Sequence, residues 1–289
     1  MHDADGHIRS TAPNAAPTHC NQLHLHILGS GSKGNCALVE GPGGFIMIDA
    51  GFSRRETLRR MHELDLDEER VQALIITHEH GDHVKGAAVW CKRFGGSLHA
   101  SLGTPGTRDA LAALPFEEFA PGGSFVVAGI HVQTFPTMHD VLNPVGLRFD
   151  CSDDSIGFAT DTGILTPGSL TYLRDVRILA LESNHDVALL RTGPYPRYLQ
   201  DRIISERGHL SNAQAAEALP NLVTERTEQL IAMHISQENN RPSLAVRAWA
   251  AALGAELDDE LGSTATLERT GAPTLHIRAA GQNRPITIL

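Results

Sequence analysis

Thr77-His78-Glu79-His80-Gly81-Asp82-His83 completes and follows the apolar run ALIIT at 73–77. A short apolar run bounded by polar residues reads as a buried strand. In an extended stretch His78 and His80 point to the same side. Gly81 permits a sharp turn, so Asp82 and His83 face another direction at the start of a helix expected over 82–94. One loop thus offers two imidazoles to one cation, and a carboxylate plus an imidazole to a neighbour. Neutral imidazole and carboxylate suit Zn²⁺ and related divalent metals. The bland alternative is a solvated polar loop, but this spacing is too specific to favour it.

Outward from this loop, LHLHIL at 23–28 alternates, with His24 and His26 on one face and Leu23, Leu25 and Ile27 on the other. CALVE at 36–40 and FIMID at 45–49 read as strands separated by the turn cluster GPGG at 41–44. Ser53 can cap a helix through RRETLRRMHEL. SLHAS, FVVAG, IHVQTF, VGLRFDC, SIGFATD, RILALES and EQLIAMHI continue the strand series, and helices are expected over 196–206, 211–219 and 242–255. Residues 257–289 end in short extended pieces. Strands come in runs and do not alternate one for one with helices. That excludes a doubly wound parallel sheet and favours an α+β fold of two mixed sheets with helices outside. Residues 1–22 lack periodicity and read as a disordered extension to one domain over 23–289.

Composition narrows the function. The chain has 289 residues, 24 Lys plus Arg, 34 Asp plus Glu, a formal charge of −10 and 16 histidines. An acidic total argues against wholesale coating of nucleic acid but allows a local basic groove. No apolar stretch approaches the ~18 residues of a membrane span, and no secretory signal is visible. Cys20, Cys36, Cys91 and Cys151 form no CxxC pair. A cytoplasmic protein without a disulfide framework is therefore expected.

Gly29-Ser30-Gly31-Ser32-Lys33-Gly34 matches the GxGxxG of dinucleotide-binding proteins. That fingerprint needs a helix next, because the pyrophosphate sits on the helix N-terminus. Here a strand is expected next, so the loop reads as a strand connection near the site.

HxHxDH after a short apolar strand resembles the metallo-β-lactamase-fold hydrolases. The resemblance implies a four-layer αββα sandwich with a one- or two-metal site at the sheet edge. Residue by residue, it matches an early Asp to Asp49, which supports the site from behind the ligands. A third-motif His matches His139, a bridging Asp matches Asp161 and a last His matches His234. The implied set is His78, His80 and His139 on one metal and Asp82, His83 and His234 on the other, with Asp161 between two Zn²⁺ or Mn²⁺ ions. Taken alone, His139 or His234 would more often be an ordinary strand-end residue, and Asp49 and Asp161 could be turn formers before Gly51 and Gly163; their joint appearance in the expected order favours the site.

GSGSKGNC at 29–36, ESNHD at 182–186, GPYPRYLQDRI at 193–203, GHLSN at 208–212 and HISQENN at 234–240 resemble the bacterial YycJ/WalJ-type branch. That resemblance implies a phosphodiesterase, an exonuclease on DNA, in which a hydroxide between the metals attacks phosphorus. Asp82 would aim the hydroxide, and His185 or His209 would protonate the leaving oxygen. Arg191, Arg197 and Arg202 are candidate phosphate contacts and Tyr195 a stacking surface, with Ser211 and Asn212 added from GHLSN. Arg54, Arg55, Arg59 and Arg60 form a second basic patch, or a solvated helix face. The competing readings are a thioester or lactone hydrolase of the same fold and a non-catalytic DNA-associated module.

Overall fold

Alternation along the strands gives each sheet two apolar faces. In strand Gly44–Ile48, Ile46 and Ile48 join one buried cluster while Phe45 and Met47 join another. In strand Ile178–Glu182, Ile178 and Ala180 face one way and Leu179 and Leu181 the other. Strands apolar on both faces must be covered on both. The computed structural model describes residues 22–289, so the extension expected over 1–22 lies outside the described residues except for Gln22.

Among the described residues the first sheet has seven strands, ordered Ile286–Ile288, His24–Gly29, Cys36–Gly41, Gly44–Ile48, Val71–Ile76, Ser97–Ser101 and Glu117–Phe119. The last four run parallel and the others pair antiparallel. The second sheet has nine, with Asp154–Ala159, Ile178–Glu182, Gln229–Met233 and Leu275–Ala279 as a parallel centre and antiparallel strands on both flanks. Both sheets are mixed, as expected.

Leu25, Ile27, Ile46 and Ile75 of the first sheet meet Val132, Phe149, Ile156 and Ile231 of the second in the central core. Helices Arg54–Glu63 and Ala87–Cys91 cover the first sheet through Met61 and Trp90. Helices Asn212–Leu222 and Pro242–Leu253 cover the second through Leu219 and Trp249. The result is the αββα order. Trp249 is fully buried, and truncating such a side chain costs about 3–5 kcal/mol.

One expectation fails locally. The helix expected over 82–94 is two short helices, Gly81–Val84 and Ala87–Cys91. A continuous helix would bond Gly86 N to Asp82 O. Instead Gly86 N donates to Ala50 O at 2.7 Å, and Asp82 O accepts from Asn35 N at 2.8 Å. A Cβ at Gly86 would lie 1.9 Å from Phe52 O, so only glycine lets the chain press this closely on 50–52. The break ties the histidine loop to the neighbouring strand connections.

Parallel strands of both sheets end at a shared edge. Asp49 follows Gly44–Ile48 and His78 follows Val71–Ile76 in the first sheet. Asp161, Glu182 and His234 end or follow the three adjacent parallel strands of the second. Such carboxyl ends are where open α/β sheets hold ligands.

Candidate metal centre

The short loop after Val71–Ile76 brings His78 and His80 beside His139, with one ring nitrogen of each within 4.8 Å of the others. His139 donates Nδ1–H to Gly208 O at 3.0 Å, which leaves its Nε2 bare. That Nε2 lies 3.2 Å from His80 Nδ1. A tetrahedral zinc with nitrogens at about 2.0–2.1 Å sets two of them about 3.3 Å apart. His78 Nε2 is buried without a hydrogen-bond partner.

A second group forms from Asp82, His83 and His234, again within 4.8 Å. His83 Nδ1 lies 2.7 Å from Asp49 Oδ2, and Asp49 also accepts from Thr77 N at 2.8 Å. Asp49 therefore stands behind His83 and anchors the histidine loop. Asp161 lies between the groups, its Oδ2 at 3.3 Å from His83 Nε2 and its Oδ1 at 3.2 Å from His234 Nδ1. Asn35 Nδ2 donates to Asp82 Oδ2 at 3.2 Å and lies 3.0 Å from His83 Nε2. Strand Cys36–Gly41 follows Asn35, so the glycine-rich loop has no helix to hold a pyrophosphate. Its role is to position site residues.

Asp49, Asp161 and His234 have φ of 58°, 56° and 52°. The left-handed region costs a non-glycine residue about 1–2 kcal/mol. Here it turns each side chain off its strand and into the site. The corner at His234 is held on both sides: its N–H donates to Ser30 Oγ and its carbonyl accepts from Asn184 Nδ2, each at 2.8 Å.

Glu182 escaped the sequence reading. It is fully buried, and its Oε1 lies 2.7 Å from His209 Nδ1 and 3.1 Å from His234 Nδ1. A carboxylate on Nδ1 fixes which ring nitrogen stays available, here Nε2 in both rings. The signal was present: period two along ILALE puts Glu182 on the same face as Ile178 and Ala180.

The two groups differ electrically. Burial, reinforced by facing imidazoles, holds His78 well below the ordinary histidine pKa, and burial lowers His80 and His139 as well. These rings are neutral, as ligands must be. Burial also disfavours the cations of His83 and His234, but the carboxylates outweigh it. Asp49 and Asp161 hold His83 well above its usual value, and Asp161 and Glu182 raise His234 to about 9. Burial opposes charge on Glu182, yet His209 and His234 keep it at about 2. Asp161 is likewise held low by His234 and His83 against its burial.

His78 Nε2 and His234 Nε2 are buried without a hydrogen-bond partner. Leaving a polar atom so costs about 1–3 kcal/mol. Two such atoms, beside the Asp161 carboxylate and imidazoles spaced for tetrahedral coordination, fit divalent cations.

A cavity of about 230 Å³ opens on this cluster. His80, Asp82, His139, Asp161, His209 and His234 line it together with Tyr195, Leu199, Arg202 and Ile203. Arg202 Nε donates to Asp140 Oδ2 at 2.6 Å. Arg191 pairs with Asp201 at 2.7 Å and, like the exposed Arg197, is not part of this lining. His185 is 1 % exposed and outside the lining, with neither ring nitrogen bonded.

The expectation that Ser211 and Asn212 touch substrate gives way. Ser211 caps helix Asn212–Leu222 in a capping box with Gln214. Asn212 is buried, accepting from Ser183 Oγ at 2.7 Å and exchanging hydrogen bonds with Asn240. Both are satisfied within the framework. Of the second basic patch, Arg60 is buried against Leu28 O and Gln282 O, and Arg59 pairs with Glu56 and Glu63.

Comparison with known proteins accords with this geometry. A family model described as a beta-lactamase superfamily domain matches residues 45–235. The exodeoxyribonuclease YycJ of Bacillus anthracis is 31% identical over 227 residues, covering 77% of this chain and 86% of that protein. The exodeoxyribonuclease WalJ of Streptococcus pneumoniae is 33% identical over 225 residues, covering 76% and 84%. Among solved structures, the metallo-beta-lactamase fold protein YhfI of Bacillus subtilis superposes with a TM-score of 0.63 at 11% identity, over 91% of this chain and 99% of that one. The short form of human tRNase Z gives 0.55 at 18% identity, over 74% and 93%. These structural likenesses carry the fold.

Proposed function

This chain belongs to the beta-lactamase superfamily, in the family of the YycJ and WalJ exodeoxyribonucleases, and from that premise we propose that it is a metal-dependent exodeoxyribonuclease. The observation that carries the reading is the pairing of two imidazole-carboxylate groups, joined by Asp161, with a cavity that Tyr195 and Arg202 also line.

In this reading His78, His80 and His139, and Asp82, His83 and His234, would hold two divalent cations, Zn²⁺ or Mn²⁺, and Asp161 would serve both groups. When bound, the cations lower the pKa of water and neutralise charge on a phosphodiester. Asp82 accepts a hydrogen bond from the attacking water and aims it. Asp49 and Glu182 hold the rings of His83 and His234 in the ligating tautomer.

His209 is the proton donor to the leaving oxygen. It lines the cavity, and Glu182 compensates the charge that a proton on Nε2 adds. His185 is poorly suited to that role, because burial pushes its pKa down to about 4 and it holds no proton near neutrality. Arg202 binds phosphate and Tyr195 stacks on a terminal base. Arg191 and Arg197 contact the backbone further out, beyond the cavity lining.

The proposed compartment is the cytoplasm. Among the described residues no helix is long and apolar enough to cross a membrane, and Cys36 and Cys91 carry free thiols.

End-labelled duplex DNA incubated with metal-loaded protein, with and without chelator, tests the reading. Release of nucleotides from an end, abolished by chelator, supports it. Turnover of thioesters with none on DNA overturns it.

A further inference from the structure

The outer face of the first sheet carries a separate convergence of imidazole and carboxylate. His24 and His26 lie two apart on strand His24–Gly29, and alternation turns both away from Leu25 and Ile27 in the central core. The adjacent antiparallel strand sets Glu40 opposite His24. Glu40 Oε2 lies 3.2 Å from His26 Nε2 and 3.5 Å from His24 Nδ1. One ligand atom from each residue lies within 4.8 Å of the other two.

The surroundings hold these groups in place. Arg70 Nη2 takes the other Glu40 oxygen at 2.8 Å and leaves Oε2 to the rings. His26 Nδ1 lies 2.9 Å from Thr287 Oγ1, on the strand Ile286–Ile288 that closes this edge of the sheet. A hydrogen bond to the far ring nitrogen is what orients a ligating imidazole. His26 is buried, while the side chains of His24 and Glu40 are 25% and 18% exposed, which gives an ion a route from solvent.

We propose that His24, His26 and Glu40 bind one zinc-class divalent cation, apart from the catalytic centre, that fastens strand His24–Gly29 to strand Cys36–Gly41. Two imidazoles and a carboxylate are a donor set that zinc accepts. Tetrahedral donors at about 2.0–2.2 Å stand about 3.3–3.5 Å apart, and the observed separations of 3.2 and 3.5 Å match that span. The ion would cross-link these two paired strands, while Thr287 holds the His26 ring from its other nitrogen.

The test is zinc content per chain in the full-length protein after equilibration with excess zinc and removal of free ion. Wild type is compared with His24→Ala and, separately, Glu40→Gln. The half-buried His24 is removed without disturbing the core. Each variant is expected to hold one zinc fewer than wild type and to show a smaller rise in Tm on adding zinc than wild type does. Equal zinc content in all three overturns the proposal. The readout is a difference between proteins, so it does not depend on how many ions the catalytic centre holds or on whether the chain cuts DNA.

Discussion

Glu182 Oε1 accepts a 2.7 Å hydrogen bond from His209 Nδ1, which commits the other ring nitrogen of His209 to the cavity. The same oxygen lies 3.1 Å from His234 Nδ1, so one buried carboxylate sets two imidazoles at once. Glu182→Gln keeps the shape and removes the charge. Loss of such a partner costs about 10- to 100-fold in metal affinity or activity. Both kcat on DNA and bound metal are expected to fall, as read by turnover and metal analysis on the same sample.

The two histidines weighed as proton donors separate by environment. His209→Ala is expected to lower kcat by about 10²–10⁴-fold, the usual worth of general acid catalysis, with metal content unchanged. His185→Ala is expected to alter Tm while leaving kcat within a few-fold, because that ring is buried and outside the cavity lining. Full turnover by His209→Ala contradicts its role.

Metal uptake is expected to depend on pH. The metal-free His234 has a pKa raised to about 9 by Asp161 and Glu182 against its burial. A ligand must be deprotonated, so below pH 9 each binding event expels this proton and affinity rises as pH rises toward 9. In the metal-free chain the sign reverses. A raised folded pKa stabilises fully below the unfolded value of about 6.5, and that stabilisation is lost as pH rises through 9. Calorimetry in buffers of different ionisation enthalpy reads the proton release at pH 7.

Arg202 and Ser211 were both expected at the substrate; Arg202 lines the cavity, whereas Ser211 caps a helix. Arg202→Ala is expected to raise KM for DNA and flatten its salt dependence by about one phosphate contact. Ser211→Ala is expected to cost about 1 kcal/mol through the lost helix cap, with KM unchanged. Denaturant melts and KM measured at several salt concentrations distinguish them.

The strands and the two mixed sheets were legible because period two is local, and the HxHxDH loop because its spacing is local; Asp49, His139, Asp161 and His234 were reached only through the family resemblance. The broken helix after Gly81 was not. Its cause is the diversion of Asp82 O to Asn35 and of Gly86 N to Ala50, partners that sequence does not juxtapose. Glu182 shares the parity of Ile178 and Ala180, but its partners His209 and His234 lie 27 and 52 residues on, a juxtaposition no local pattern signals. Ser211 was misread because a capping serine and a substrate serine look alike until Gln214 is seen returning the hydrogen bond.

The most direct measurement of the central claim is nucleotide release from 5′- and 3′-end-labelled duplex DNA by metal-loaded wild type, beside His80→Ala and Asp161→Ala. The account predicts stepwise release from an end by wild type, and joint loss of activity and bound metal in both variants. Release by a metal-free preparation, or by either variant at the wild-type rate, would contradict it.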